Sequence, residues 1–141
     1  MITGFHHTAL TVSNIEEALR FYCDELGFTV VDRGRWADSE SYDAIWELEG
    51  SAGEYAMLQL NDAHLEIFRF DSPESRSAPS DWRVSDLGIT HLCFSVDDIA
   101  SEFERLTNAG VTFACPPIDA DGLCAFGSDP FGNVIELYQP A

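Results

Sequence analysis

Lysine is absent from this chain and positive charge is scarce. Seven arginines stand against 25 aspartates and glutamates, which gives a formal net charge of −18. The absence of lysine excludes Schiff-base catalysis, lysine-bound pyridoxal phosphate and a Walker-type phosphate lysine. The excess of acids repels phosphate backbones and anionic lipid headgroups. We therefore expect a small-molecule substrate as the partner, with neither nucleic acid nor a membrane surface involved.

Long apolar runs and paired cysteines are also missing. No stretch is long enough to span a bilayer, and the first twenty residues lack a basic start followed by an apolar run. The four cysteines form no CxxC pair, which favours buried thiols over disulfides or a zinc knuckle. These features predict a cytoplasmic protein. Its 141 residues, 45% of them hydrophobic, suffice for a folded domain with a core.

The chain contains an internal repeat. Residues 5–30 and 89–113 align at an offset of 84 residues, which matches His7 with His91. Each segment begins as a strand and continues as an amphipathic helix. Three strand-like runs follow each helix, so the predicted unit is βαβββ, present twice.

The two modules define the expected architecture. We predict an α+β fold in a single domain, 1–141, with one module at about 1–70 and the other at about 89–141. A polar, proline-containing linker at about 71–88 joins them. The two modules are expected to form a curved mixed sheet around a central site. The first module carries an insertion at 34–55, which is expected to pack as a short helix, or alternatively to act as a lid or substrate-binding element.

Helix caps are predicted from short polar motifs. Ser13 with Glu16 three residues later reads as a capping box that starts the first helix. Asp97 or Asp98 is expected to cap the second helix.

Strand alternation places a histidine and a glutamate of each module on one face. The large apolar side chain of Val12 must pack under the helix, so His7 points to the opposite face. Glu66 lies between Leu65 and Ile67 and shares the face of His7 for the same reason. The second module repeats this arrangement with His91 and Glu136.

A carboxylate flanked by apolar residues in a strand needs a partner. The partner is a cation, a hydrogen-bond donor or a metal ion, because an unpaired buried charge is costly. A single glutamate of this kind is consistent with a salt bridge. Two imidazoles and two carboxylates at equivalent places in a repeat favour one divalent metal ion, and mixed nitrogen and oxygen ligands suit Ni, Co, Zn, Mn or Fe.

Four motifs carry a resemblance to a known family. The chain reads HHTALTVSNIEEALRFYCDELGF, HLEIF, THLCFSVDDI and DPFGNVIELYQP at these places. In them it resembles the vicinal oxygen chelate superfamily, which includes glyoxalase I, methylmalonyl-CoA epimerase, extradiol dioxygenases, and fosfomycin and bleomycin resistance proteins. The resemblance covers nearly the whole chain.

The resemblance implies a metal-dependent reaction. His7, Glu66, His91 and Glu136 stand where such proteins place their metal ligands. It further implies that the ion binds two vicinal oxygens of a small substrate and stabilises the charge that develops there. Glu136 or Glu66 then removes a proton next to a carbonyl, in a glyoxalase-like lyase or isomerase (epimerase) reaction through an enediolate or enolate.

Two other functions stay open from the sequence. An Fe(II) extradiol-type dioxygenase needs a third open position for O₂, whereas four protein ligands leave two on an octahedral ion. A metal-free sequestering protein, as in the bleomycin-binding branch, does not need the ligand set. No arginine can be assigned to the carboxylates of glutathione, which leaves the substrate undetermined.

Three further residues are predicted to bind substrate. His64, Phe68 and Tyr138 share the face of the glutamates and are expected to line the pocket. His6 is expected to face away from His7, because neighbours in a strand alternate. The site is expected to form within one chain or across a homodimer.

Overall fold

The computed structural model describes residues 1–77, 79 and 81–141. It divides the chain into two compact units, Met1–Ser77 and Ala78–Ala141. Each unit combines α-helical structure with one mixed sheet, so the α+β fold class is confirmed. The strands form two separate hydrogen-bonded sheets, one in each unit.

The first unit has four strands and two helices. Its elements are β1 (Thr8–Thr11), α1 (Ile15–Leu19), which continues as a π-helical segment (Arg20–Glu25), β2 (Thr29–Trp36), α2 (Glu40–Trp46), β3 (Ala52–Leu60) and β4 (Ala63–Ser72). The strand order is β1-β4-β3-β2, with β1 parallel to β4 and the other pairs antiparallel. The first strand of the unit therefore lies beside its last.

The second unit repeats this topology. Its elements are β5 (Leu92–Ser95), α3 (Ile99–Asn108), β6 (Thr112–Phe113), β7 (Ile118–Asp119), β8 (Leu123–Ser128) and β9 (Val134–Gln139). The strand order is β5-β9-β8-β6, again with the first strand parallel to the last, and the short β7 pairs with β8. The predicted βαβββ pattern is thus present in both units, with α2 as an addition in the first and β7 in the second.

Each sheet buries one face under its helix. In the first unit Val12, Leu65 and Ile67 are at most 3% exposed, and α1 contacts β3 and β4. In the second unit Ile135 and Leu137 are buried in the same way, and α3 contacts β8 and β9. This helix-covered face is the apolar core that strand alternation predicts.

The N-terminal cap of the first helix differs from the predicted residue, and that of α3 is one of the two predicted residues. The first helix is capped by Asn14, whose side-chain oxygen accepts hydrogen bonds from the backbone N–H groups of Glu16 and Glu17. The prediction of Ser13 is wrong by one residue, because Asn14 has the extended backbone of a cap. In the second unit Asp98 is the cap. No helix within the described part of the chain is long and apolar enough to cross a membrane.

Hydrogen bonds from a loop anchor helix α2. The Asp43 carboxylate accepts from the backbone N–H of Gly50 at 2.7 Å and of Ser51 at 2.8 Å. Hydrogen bonds from the Ser51 side chain and from these two N–H groups hold the pKa of Asp43 below its usual range. The Ser51 hydroxyl also accepts from the Trp36 indole N–H at 3.2 Å. Asp43 therefore ties α2 to strand β2 through Ser51.

Removal of the Asp43 charge is expected to destabilise the fold in a pH-dependent way. The pKa of Asp43 is lower in the folded state than in the unfolded state. Its carboxylate therefore stabilises the fold fully above the unfolded-state pKa, and this contribution is lost as the pH falls through the folded-state pKa. Asp43→Asn should therefore lower the urea midpoint at pH 7, and the deficit should shrink towards pH 3. Glu40→Gln, in the first turn of the same helix, is the control. Equal midpoints of Asp43→Asn and the parent at pH 7 would contradict this expectation.

Candidate functional site

In the first unit a histidine and a glutamate meet at the edge of the sheet. The Nε2 atom of His7 lies 3.1 Å from the Oε2 atom of Glu66, and their side chains are 34% and 17% exposed. His7 directly precedes β1, and Glu66 lies in β4 beside Ala9 of β1. The parallel pairing of the first and last strands of the unit brings these two residues together.

The second unit contains the same pair. The Nε2 atom of His91 lies 3.0 Å from the Oε2 atom of Glu136, with side chains 27% and 14% exposed. His91 directly precedes β5, and Glu136 lies in β9 beside Cys93 of β5. The structure therefore joins, in each unit, the histidine and the glutamate that strand alternation places on one face, and it does so through the same two atoms.

The other ring nitrogen of each histidine contacts the preceding residue. The Nδ1 atom of His91 lies 2.8 Å from the Thr90 hydroxyl, and the tautomer of the ring decides which of the two donates the hydrogen bond. The Nδ1 atom of His7 lies 2.7 Å from the Nδ1 atom of His6, so one of these two rings donates and the other accepts. A partner on Nδ1 orients the ring and directs Nε2 towards the glutamate.

His6 lies elsewhere than strand alternation predicts. It is exposed, but its ring contacts His7 and stacks on His64 at 5.9 Å with an interplanar angle of 20°. The expectation that it faces away from His7 is wrong, because β1 begins only at Thr8 and the alternation rule does not extend to His6. The two adjacent histidines are the feature of the sequence that could have indicated this contact.

The three predicted substrate-binding residues lie on the glutamate faces of their units. His64 and Phe68 flank Glu66 along β4, and both are half-buried. Tyr138 follows Glu136 by two residues in β9, and its hydroxyl donates to the Asp121 carbonyl at 3.1 Å. The structure thus places all three on the expected faces, and their role in binding stays a prediction.

Two cysteine thiols lie beside Glu136. Partial desolvation, followed by a hydrogen bond to Glu136, raises the pKa of the Cys93 thiol to about 12. The same causes raise the pKa of Cys124. Both thiols therefore stay protonated at neutral pH. The Cys93 thiol can donate to the carboxylate, whereas the Cys124 thiol donates to the Gly122 carbonyl at 3.7 Å. The first unit has alanine, Ala9, where the second has Cys93, so the two glutamates have different surroundings.

The arginines of the first sheet lie on the face opposite to Glu66. Strand register places Arg35 and Arg69 beside Glu54, on the other face from Glu66. The Arg35 guanidinium lies 3.2 Å from Glu54 and 2.7 Å from Asp71. Arg69 and Arg33 join the same ion-pair network, in which Arg33 also contacts Glu16 of α1. These cations are held in ion pairs away from the His7–Glu66 pair.

Each unit by itself supplies two groups that could bind a metal ion, one imidazole and one carboxylate. Within the described ranges, no group of three or more His, Cys, Asp or Glu side chains is arranged to hold a metal ion. The donor types nevertheless fit one, since imidazole and carboxylate suit Zn, Ni, Co, Mn and Fe. Two adjacent ligands at about 2.1 Å from an octahedral ion are separated by about 3.0 Å. The nitrogen–oxygen distances of 3.1 and 3.0 Å match this separation and also the length of a hydrogen bond.

A family model matches nearly the whole chain. The model described as "Glyoxalase/Bleomycin resistance protein/Dioxygenase superfamily" covers residues 4–137. The chain belongs to this superfamily, which confirms the family resemblance of its sequence motifs.

Similar proteins include one with a named activity. The chain is 34% identical to the uncharacterized protein YaeR of Escherichia coli, over 95% of this chain and 94% of that protein. It is 30% identical to the lactoylglutathione lyase of Pseudomonas aeruginosa, over 96% of this chain and 81% of that enzyme. Among solved structures, a glyoxalase family protein from Bacillus cereus superimposes with a TM-score of 0.87 and 20% identity, over 99% of this chain and 95% of that one. That last similarity shows the shared fold.

Proposed function

We propose that this protein is a glyoxalase-like, metal-dependent lyase or isomerase (epimerase) that acts on a small substrate with vicinal oxygens. The observation that carries the proposal is the duplicated pair, in which a histidine Nε2 atom meets a glutamate Oε2 atom at 3.1 Å in one unit and 3.0 Å in the other. The recurrence of the same two donor atoms at equivalent places of the repeat supports a shared role for the two pairs, and imidazole with carboxylate is a donor set that suits a divalent ion. The similarity to a lactoylglutathione lyase supports a lyase reaction.

The proposal assigns both pairs to one divalent metal ion. His7, Glu66, His91 and Glu136 would supply two imidazole nitrogens and two carboxylate groups, either within one chain or across a homodimer. Such a set suits Ni, Co, Zn, Mn or Fe. When bound, the ion would polarise the vicinal oxygens of the substrate and stabilise negative charge on them.

The residues of the chain would orient the ligands and move the proton. Thr90 and His6 hold the Nδ1 atoms of the two ligand histidines and so direct the Nε2 atoms. We assign the role of general base to Glu136, with Glu66 as the alternative. Glu136 is 14% exposed, and a half-buried carboxylate can take a proton from the carbon next to a carbonyl and return it to the adjacent position. The resulting enediolate or enolate would be the reaction intermediate.

Metal analysis combined with solvent exchange tests this function. The purified protein is expected to retain about one nickel, cobalt, zinc or manganese ion per site. In deuterated buffer, it should exchange the proton next to the carbonyl of lactoylglutathione or of a neutral α-hydroxyketone, observed by proton NMR. Iron with substrate-dependent O₂ consumption would instead establish the dioxygenase. Failure to bind any of these ions would overturn the metal-dependent reaction and favour a sequestering protein.

A further inference from the structure

Five aromatic rings form a cluster in the first unit. The aromatic cluster consists of Trp36 of β2, Tyr42 and Trp46 of α2, and Phe68 and Phe70 of β4. Trp46 lies at the centre, with its ring 5.0 Å from Trp36, 5.6 Å from Phe68 and 4.9 Å from Tyr42, on which it stacks at 10°. Three of the five rings come from the insertion at 34–55 that the second module lacks. The cluster is therefore specific to one half of the repeat.

The cluster is held by polar contacts rather than by apolar packing alone. The Trp36 indole N–H donates to Ser51, and Asp43 of α2 accepts from the backbone N–H of Ser51. The Trp36 ring lies over Gly53, where an added Cβ atom would come within 2.5 Å of the ring. These contacts place α2 over the sheet and orient its rings before any ligand binds, which reduces the entropic cost of binding.

The cluster lies on the same face as the His7–Glu66 pair. Glu66, Phe68 and Phe70 alternate along β4 and so point to one side of the sheet. Successive residues on one face of a strand are about 6.8 Å apart. The nearest ring is therefore within the span of one small molecule from the Glu66 carboxylate. Tyr42, at 39% exposure, leaves the outer edge of the cluster accessible.

The acidic side chains on this face disfavour an anionic ligand group. Asp32 and Glu66 lie on it, and Asp32 accepts a hydrogen bond from the Tyr55 hydroxyl at 3.0 Å. The sheet arginines Arg33, Arg35 and Arg69 point to the opposite face and are held there by acidic partners. A carboxylate or phosphate bound at the cluster would face two acids without a sheet arginine to neutralise it. The partner that fits is a ring without negative charge.

We propose that the aromatic cluster binds an uncharged aromatic ring of the substrate, with the vicinal oxygens of that molecule directed towards His7 and Glu66. Stacked and edge-to-face contacts with tryptophan and tyrosine rings favour a planar aromatic group over a saturated ring of equal size. The assignment of the ring to the substrate rests on the proposed function, whereas binding of the ring itself does not need a metal ion. An experiment can therefore contradict the aromatic site without contradicting the proposed function, and the reverse also holds.

Indole NMR signals of the chelator-treated full chain test ring binding without a metal ion. Trp36 and Trp46 belong to the cluster, while Trp82 lies outside it and serves as an internal control. Benzyl alcohol, cyclohexylmethanol and benzoate are the probes. We expect benzyl alcohol to shift the Trp36 and Trp46 signals but not that of Trp82, and to bind about three- to tenfold more tightly than cyclohexylmethanol. Benzoate should bind much more weakly than benzyl alcohol.

Two variants on the surface of α2 complete the test. Tyr42→Ala removes one exposed ring and is expected to weaken benzyl alcohol binding about three- to tenfold. Ile45→Ala, at a position 69% exposed on the same helix, should leave it unchanged. Equal binding of benzoate and benzyl alcohol, shifts confined to Trp82, or an unchanged affinity of Tyr42→Ala would each overturn the aromatic site. Retention of metal and proton exchange in that case would leave the proposed function standing.

Discussion

Glu136→Gln is expected to lower the rate of the proton-transfer reaction by about 10²- to 10⁴-fold, the range that a positioned general base contributes. The glutamine side chain keeps the size of the glutamate but cannot accept the substrate proton. Deuterium exchange next to the substrate carbonyl, followed with saturating metal ion, measures the effect directly. Saturation with metal separates loss of the base from weaker binding of the ion.

His64→Ala and Glu66→Gln are the matched comparisons for this variant. His64 lies on the same face as Glu66 and stacks on His6, so its removal should slow exchange far less than Glu136→Gln does. If exchange is slower in Glu66→Gln than in Glu136→Gln, the general base is Glu66 instead of Glu136. Near-equal rates for the parent and Glu136→Gln would remove Glu136 as the base.

Loss of either histidine of the two pairs is expected to abolish tight metal binding. If one ion takes ligands from both units, His7→Ala and His91→Ala should each weaken zinc or nickel affinity by more than about 100-fold, since even loss of a residue behind a ligand costs 10- to 100-fold. Isothermal titration of the chelator-treated protein measures the affinity and the stoichiometry. Thr90→Val, which removes only the hydroxyl on the Nδ1 atom of His91, should cost about tenfold.

The metal affinities of these variants, compared with one another, show whether the two His–Glu pairs share one ion. Comparable losses in His7→Ala and His91→Ala support one shared ion. Full affinity in His7→Ala together with loss in His91→Ala would show that the second unit binds the ion alone. Unchanged binding in both would reduce the two pairs to salt bridges and contradict the ligand assignment.

The faces of the strands followed from the sequence because alternation is local. Leu65 and Ile67 on either side of Glu66 are enough to say which face is apolar, and the structure buries both leucine and isoleucine while leaving the glutamate accessible. Repetition at an offset of 84 residues then extended the same reasoning to His91 and Glu136. The family was recognisable from the same residues.

Features that depend on where an element begins were less predictable. The alternation rule misplaced His6, because it applies only inside a strand and β1 begins two residues later. The capping box misplaced the start of α1 by one residue, since Ser13 and Asn14 are both good caps and only the backbone conformation selects Asn14. Local sequence preferences leave such choices nearly equal in free energy.

The sequence by itself determined the repeat, the α+β class, and which residues of each strand share a face, since these follow from local periodicity and composition. Only the tertiary structure decided that the first strand of each unit pairs in parallel with the last, which brings a histidine within 3.1 Å of a glutamate in one unit and 3.0 Å in the other. It also decided that Asp43 and Ser51 hold two insertion rings, Trp36 and Trp46, against Phe68 and Phe70. Such contacts join residues far apart in the chain, and their geometry depends on strand register, which local periodicity does not specify.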